Sequence, residues 1–229
     1  MEANTQAIVL MAWARSLGLP DDALAGDDEL VLDVRSDDQV ISALQVAGRT
    51  VISGPDWACE RAADYSIDAL TTAAGLLTLA KDRVPRVLRD DTLYYADDYP
   101  PTLDGDRTLT TDPAAYDELR ATCAPDDVAH SGLDDTTDRI VLLDEDERPV
   151  AAGGWTVWEG VIADLALVAS VDTRGDLGQL PIASFVVGEI LDHGLVPQLR
   201  VGHDDSDAAA LADALGLHPA GTHLVVALT

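Results

Sequence analysis

Lysine is almost absent: Lys81 is the only one in 229 residues. The remaining basic residues are arginines, 14 cations in all against 42 acids, for a formal net charge of -28. No cluster of cations exists to neutralise phosphates, so a nucleic-acid partner is excluded. Cysteine is nearly as scarce. Cys59 and Cys123 stand far apart without ligand spacing, which excludes a structural zinc site and a disulfide framework. No apolar run approaches the roughly 18 residues of a membrane span. The start, MEANTQAIVLMAWARSLG, has neither a basic leader nor a small-residue cleavage site. It is read as an amphipathic helix, and the protein is expected in the cytoplasm, away from membranes.

What the chain has is acid and apolar residues together. It is 47% hydrophobic, enough to bury a core, so the charge does not mark a disordered tail. The acids are mostly Asp and run from Asp21 to Asp213 rather than clustering against one partner. Such a surface suits concentrated salt, where carboxylates hold water and charge is screened within about 3 Å at molar ionic strength. A halophilic, acidic protein is expected.

Element signals divide the chain. Residues 2–17 carry helical apolar spacing, stopped by Gly18 and Pro20. ELVLDVR alternates as a strand. LQVAGRTVISG reads as a second strand interrupted by a turn at Gly48, residues 57–80 as a helix, and TLYYAD as a short strand. The Pro, Gly and Asp cluster DDYPPTLDGDRT marks a linker. The expected division is a smaller α/β N-terminal domain with its linker over 1–105 and a second domain over 106–229. In the second, Asp112 and Pro113 start a helix. Three antiparallel strands follow within RIVLLDEDERPVAAGGWTVWEGVIADLALVAS. A loop then leads to a helix from Leu180 to His193, closed by Gly194. A strand, a helix ended by Gly216 and a last strand complete the order.

This order, with VDTRGDLGQ between the third strand and the helix, resembles the GCN5-related N-acetyltransferase family over about 106–229. Arg174-Gly175 matches the start of the family's Arg-Gly-x-Gly-x-Gly loop, HGLVPQLRV the next turn and strand, and ALADALGLHPAGTHLVVAL the closing helix and strand. CAPDDVAHSGLDD resembles the loop after the first helix in a two-domain bacterial and archaeal subgroup. The resemblance implies an α/β (α+β) fold, a mixed and mostly antiparallel sheet flanked by helices. It also implies transfer of an acetyl group from acetyl-CoA, as cosubstrate and without a metal, to the primary amine of a small molecule or peptide. A homodimer is compatible with it. The alternative is a catalytically silent acyl-CoA-binding or regulatory module.

The implied cofactor-binding residues are Leu167, Val168 and Ala169, whose backbone would leave its neighbour and pair with the pantetheine arm, and Arg174, Gly175, Asp176, Leu177, Gly178, Gln179 and Leu180 around the pyrophosphate. A helix start offers N–H groups and a positive dipole end to phosphate, and glycine permits close approach. Leu177 and Gln179 occupy the family's later glycine positions, with Gly178 between them, and Asp176 brings a carboxylate. Ala212 stands where the family often has a tyrosine acid. Asp164, in the third strand, and Glu159, in the WEG turn, are the catalytic candidates, because a carboxylate can take the proton of an amine. Trp155 and Trp158 are expected on one face, as core or as the wall of an acceptor pocket. The five histidines show no metal pattern.

Overall fold

A computed structural model describes residues 1–102, 107–136, 138–173 and 178–228. They form two compact units. One comprises Met1–Thr5, Tyr95–Leu199 and Asp205–His218, and the other Gln6–Tyr94, Arg200–Asp204 and Pro219–Thr229.

In the first unit the strands β5 (Thr108–Thr110), β6 (Arg139–Leu143), β7 (Pro149–Trp158), β8 (Ile162–Ala169) and the first residues of β9 (Val196–Gly202) lie in the order β5-β6-β7-β8-β9. The first four are antiparallel neighbours, and β8 runs parallel to β9. Helices cover both faces of this sheet. α5 (Pro113–Thr122) and α6 (Pro125–Ser131) bury Tyr116, Leu119 and Val128 against Val141, Ala152, Ala166 and Val168. On the other face, α7 (Leu180–Asp192) buries Ile182, Val186 and Ile190 against Ile140, Leu142, Ala163 and Ala169. Gly153 makes this contact possible. A Cβ there would meet Val186 at 2.7 Å and both Ile182 and Leu167 at 3.1 Å, so a side chain would push α7 off the sheet.

Local chemistry sets the helix ends. The Asp112 carboxylate accepts the Ala114 N–H at 3.0 Å, and Asp205 does the same for Ala208 at 3.0 Å at the start of α8 (Ser206–Ala214). Gly194 (φ 72°) and Gly216 (φ 74°) close α7 and α8 in the left-handed region. Each is followed by a leucine whose N–H returns to the helix, Leu195 to Ile190 and Leu217 to Ala212.

In the second unit the order is β1 (Leu30–Val34), β3 (Arg49–Gly54), β2 (Val40–Val46), β10 (His218–Ala227) and β4 (Arg86–Tyr95). LQVAGRTVISG is thus two strands joined by a tight hairpin. The last strand, read from the sequence with the C-terminal half, pairs antiparallel with β2 from Gly221↔Val46 to Ala227↔Val40. α1 (Ala3–Ser16) matches the expected first helix. The single helix expected over 57–80 is three: α2 (Asp56–Ala62), α3 (Ile67–Leu70) and α4 (Ala73–Leu79). Ser66 and Thr72 start new helices inside the run, their hydroxyls accepting from the N–H groups of Ala69 and Gly75. Their apolar faces meet Ile41, Ala43, Ile52, Leu224 and Val226.

Candidate functional site

The chemistry-bearing geometry of the first unit lies where β8 and β9 part. Their parallel register holds three pairs, Ile162↔Val196, Ala163↔Pro197 and Asp164↔Gln198, and then stops. On its other side β8 stays paired with β7 through Ala151↔Ala169. Among the described residues Leu165 to Ala169 therefore keep one neighbouring strand and present their other edge without one, as a V whose apex is the Asp164–Gln198 pair. Pro197, with no N–H to donate, sits one residue before the split.

Alternation along β8 sorts its side chains. Ala166 and Val168 pack toward α5 and α6, and Ala163 and Ala169 toward α7. Asp164 shares the α5–α6 face and is half-buried. Gln198 is 0% exposed, and its Nε2 donates to Asp164 Oδ1 at 2.6 Å. An ionised carboxylate only accepts, so the amide nitrogen has to face Asp164. That fixes Gln198 Oε1 as the other end of the amide, buried and without a hydrogen-bond partner. A buried unpaired carbonyl costs about 1–3 kcal/mol, and such sites mark strain, function or a bound water.

The open edge of β8 is not wholly free. The Cys123 thiol donates to the Ala169 carbonyl at 3.3 Å, while on the opposite, paired edge Ser170 N–H extends the β7 ladder to Val150 O at 2.9 Å. The carbonyl of Ala169, expected to serve a ligand, is already engaged. Beyond it, Thr173 N–H turns back to Ser170 O at 3.0 Å. Arg174, Gly175, Asp176 and Leu177 lie outside the described residues. Gly178 and Gln179 follow, and Gln179 is the N-cap of α7, its carbonyl accepting from Ala183 at 3.0 Å with no side-chain cap. The first turn of α7, beginning at Leu180, contains no acid, so nothing there offsets the positive end of the helix dipole.

No protein-family model matches the sequence, and no curated protein matches it. Solved structures do match in shape. A GCN5-related N-acetyltransferase-like protein from Streptococcus suis superposes with a TM-score of 0.51 at 15% identity, covering 100% of each chain. A GNAT-family acetyltransferase from Colwellia psychrerythraea gives 0.50 at 15% identity over 66% of this chain, which spans only 60% of that protein's length. The chain has the GCN5-related N-acetyltransferase fold.

Within that fold the sequence-derived residues separate. Asp164 and the strand Leu167, Val168 and Ala169 come together at the split of β8 and β9. Glu159 is exposed, at φ 51° beside Gly160 at φ 71°, as a hairpin turn with two left-handed residues requires. Trp155 and Trp158 do not share a face, because residues three apart in a strand point oppositely. Trp155 packs on the α7 side, its ring centroid 5.6 Å from that of His193. Ala212 is buried. Tyr116 is a buried phenol, but its O–H donates to Asp134 at 3.0 Å, and burial followed by that carboxylate pushes its pKa up to about 12. It is a locked core group rather than a proton donor. Sequence reasoning missed Gln198; its only signal was one polar residue inside the otherwise apolar LVPQL. Among the described residues no group of three or more His, Cys, Asp or Glu is arranged to hold a metal, and no helix is long and apolar enough to cross a membrane.

Proposed function

We propose that the chain is an N-acetyltransferase that moves an acetyl group from acetyl-CoA to a primary amine of a small molecule or peptide. The observation that carries this reading is the split of β8 from β9 immediately after the Asp164–Gln198 pair. An extended arm with amide groups fits the outward backbone groups of Leu165 and Leu167 as a missing strand would. The positive end of α7, whose first turn holds no acid, suits a pyrophosphate, with Gly178, Gln179 and Leu180 nearest to it in sequence and Arg174 to Leu177 the adjoining loop.

Acetyl-CoA supplies an activated thioester. This chain's residues would do the rest. Asp164, on the α5–α6 face at the apex, would accept a proton from the ammonium and leave a nucleophilic amine. Backbone N–H groups on the open edge of β8 would polarise the acyl carbonyl. Asp164 needs no help from Glu159, which the hairpin holds in solvent. Composition supports a cytoplasmic enzyme of a salt-rich host as part of the same proposal.

Calorimetric titration with acetyl-CoA tests the first half, together with thermal shift. At a ligand concentration 100 times the dissociation constant, linkage stabilises the fold by about 2.7 kcal/mol. Mass spectrometry of an amine library incubated with acetyl-CoA tests the second. Binding without any acetylated product leaves the silent acyl-CoA-binding module. No binding leaves a fold without the activity.

A further inference from the structure

The second unit holds a cavity of about 220 Å³ that acetyl transfer does not use. Three chain connections converge on it. Ser36, Asp38 and Gln39 come from the turn between β1 and β2. Asp56 and Trp57 open α2 just after β3, and Arg83 lies in the turn before β4. β1 and β3 run parallel as far as Val34↔Gly54. The cavity therefore lies beyond the carboxyl ends of two parallel strands, where open α/β sheets bind small molecules. Its apolar lining is the buried Pro55 with the half-buried Trp57 and Leu228, the last held by its N–H bond to Gln39 O at 2.8 Å. Asp56 and Arg83 are exposed, so the cavity is reachable from solvent.

Its charges suit a ligand that carries both signs. Arg61 and Arg83 lie over the Trp57 ring at 4.8 and 5.1 Å. Arg61 is committed: it donates to the Asp82 carboxylate at 2.6 and 2.8 Å and to Leu79 O at 3.0 Å. Arg83 is not. Stacking uses the face of its guanidinium and leaves the in-plane N–H donors pointing outward. Among the described residues that guanidinium makes no hydrogen bond or ion pair, although the chain has 42 acids to 14 cations. Val84, next to it, sits at φ 42°, a region costly to a β-branched residue, and strain of this kind collects at ligand sites. Asp38 and Asp56 line the same cavity, and among the described residues neither side chain has a hydrogen-bond or ion-pair partner. A simple anion would meet two carboxylates there, and a simple cation would meet the guanidinium. A zwitterion satisfies both.

We propose that this cavity binds a free α-amino acid with an apolar side chain. Arg83 holds the carboxylate through its forked N–H groups, Asp38 and Asp56 take the ammonium, and the side chain rests on Pro55, Trp57 and Leu228. A drug-sized site has roughly 300–1,000 Å³, so the smaller volume here fits a ligand of this size. The site stands independently of acetyl transfer.

The test uses the full chain without acetyl-CoA, followed by melting temperature and calorimetry. The probes are leucine, phenylalanine, glycine, N-acetyl-leucine, which lacks the ammonium, and leucinamide, which lacks the carboxylate. Each is taken to about 10 mM, well above a millimolar dissociation constant. Leucine or phenylalanine should raise the melting temperature, and the other three should bind about tenfold or more weakly than the better of the two. Arg83→Gln, and the double variant Asp38→Asn with Asp56→Asn, should each weaken that binding by about tenfold or more. Their ligand-free melting shows that they fold. Arg86→Gln, which removes an exposed arginine outside the cavity, should bind as wild type does. No shift with either leucine or phenylalanine overturns the proposal. N-acetyl-leucine or leucinamide binding as tightly as leucine overturns it too, because the site would then read a single charge. Equal binding by wild type and folded Arg83→Gln would place the ligand elsewhere and overturn the assignment to this cavity. None of these outcomes bears on acetyl-CoA, whose own titration decides the transferase reading.

Discussion

Gly178 lies under Thr173 so closely that a Cβ on it would come within 1.9 Å of the Thr173 carbonyl oxygen. The glycine is needed by the protein's own backbone, before any ligand arrives. A substitution there tests the loop's architecture rather than a direct phosphate contact. Gly178→Ala should destabilise by about 1–3 kcal/mol through overpacking, visible as a lower urea midpoint. Acetyl-CoA affinity should fall with it, since the start of α7 is displaced. An alanine variant with wild-type stability would show that the turn gives way freely.

The β2–β3 hairpin holds Ala47 at φ 49° and Gly48 at φ 79°. Both central residues are left-handed, but only one is a residue that tolerates it without a Cβ conflict. Ala47 carries roughly 1–2 kcal/mol of strain by the general cost of that region for residues with a side chain. Ala47→Asn or Ala47→Gly should therefore raise stability by about 1 kcal/mol, or about 2–4 °C in melting temperature for a chain of this size. Gly48→Ala should lower it. Thermal unfolding of the three variants decides the sign.

These two turns illustrate what the sequence disclosed and what it hid. Features that depend on neighbours in the chain were legible: the Asp112 and Asp205 caps, the Gly194 and Gly216 ends, and the three antiparallel strands from Arg139 to Ala169. Features that depend on distant partners were not. His218–Ala227 alternates like any strand, and nothing in it says that Val40–Val46 is its neighbour. The breaks at Ser66 and Thr72 were hidden because the surrounding Ala and Leu have helical preference throughout. Asp164 was singled out because a strand carboxylate stands out. Gln198 was passed over because its meaning needs a residue 34 positions away.

The net charge of -28, with Lys81 the only lysine, sets an expectation about solvent. Self-repulsion opposes the compact state and is screened as the Debye length falls from about 10 Å at 0.1 M to below about 3 Å at molar salt. The melting temperature should rise between about 0.1 M and 2 M KCl. A flat response would mean that the carboxylates are far enough apart, or well enough hydrated, for their repulsion to be negligible at low salt.

His223 gives the sharpest pH prediction. It is largely enclosed between strands and helix, with Nε2 3.1 Å from Ser42 Oγ and its ring edge-on to Trp13 at 5.2 Å, while Nδ1 is buried without a hydrogen-bond partner. Burial first, then the charges of Arg200 and Arg89, pushes its pKa down from 6.5 to about 4. The folded protein therefore holds a neutral imidazole where the unfolded chain would hold a proton. Its contribution is present above the unfolded value and is lost as pH falls from about 6.5 toward about 4, below which both states are protonated. By linkage the loss is on the order of 3 kcal/mol over that window. The aspartates complicate any single curve. Asp82 is held well below the usual carboxylate range by Arg61, so the stability it contributes disappears only at lower pH. General carboxylate repulsion, for its part, relaxes as acid is added. The comparison that isolates the histidine is wild type against His223→Gln, which keeps a polar group toward Ser42 but cannot titrate. Urea unfolding of both at about pH 7 and about pH 4.5 should show the wild type losing more stability than the variant, by on the order of 2 kcal/mol. Parallel losses in the two proteins would mean that His223 titrates normally, and that the enclosure around Nδ1 opens enough to admit water.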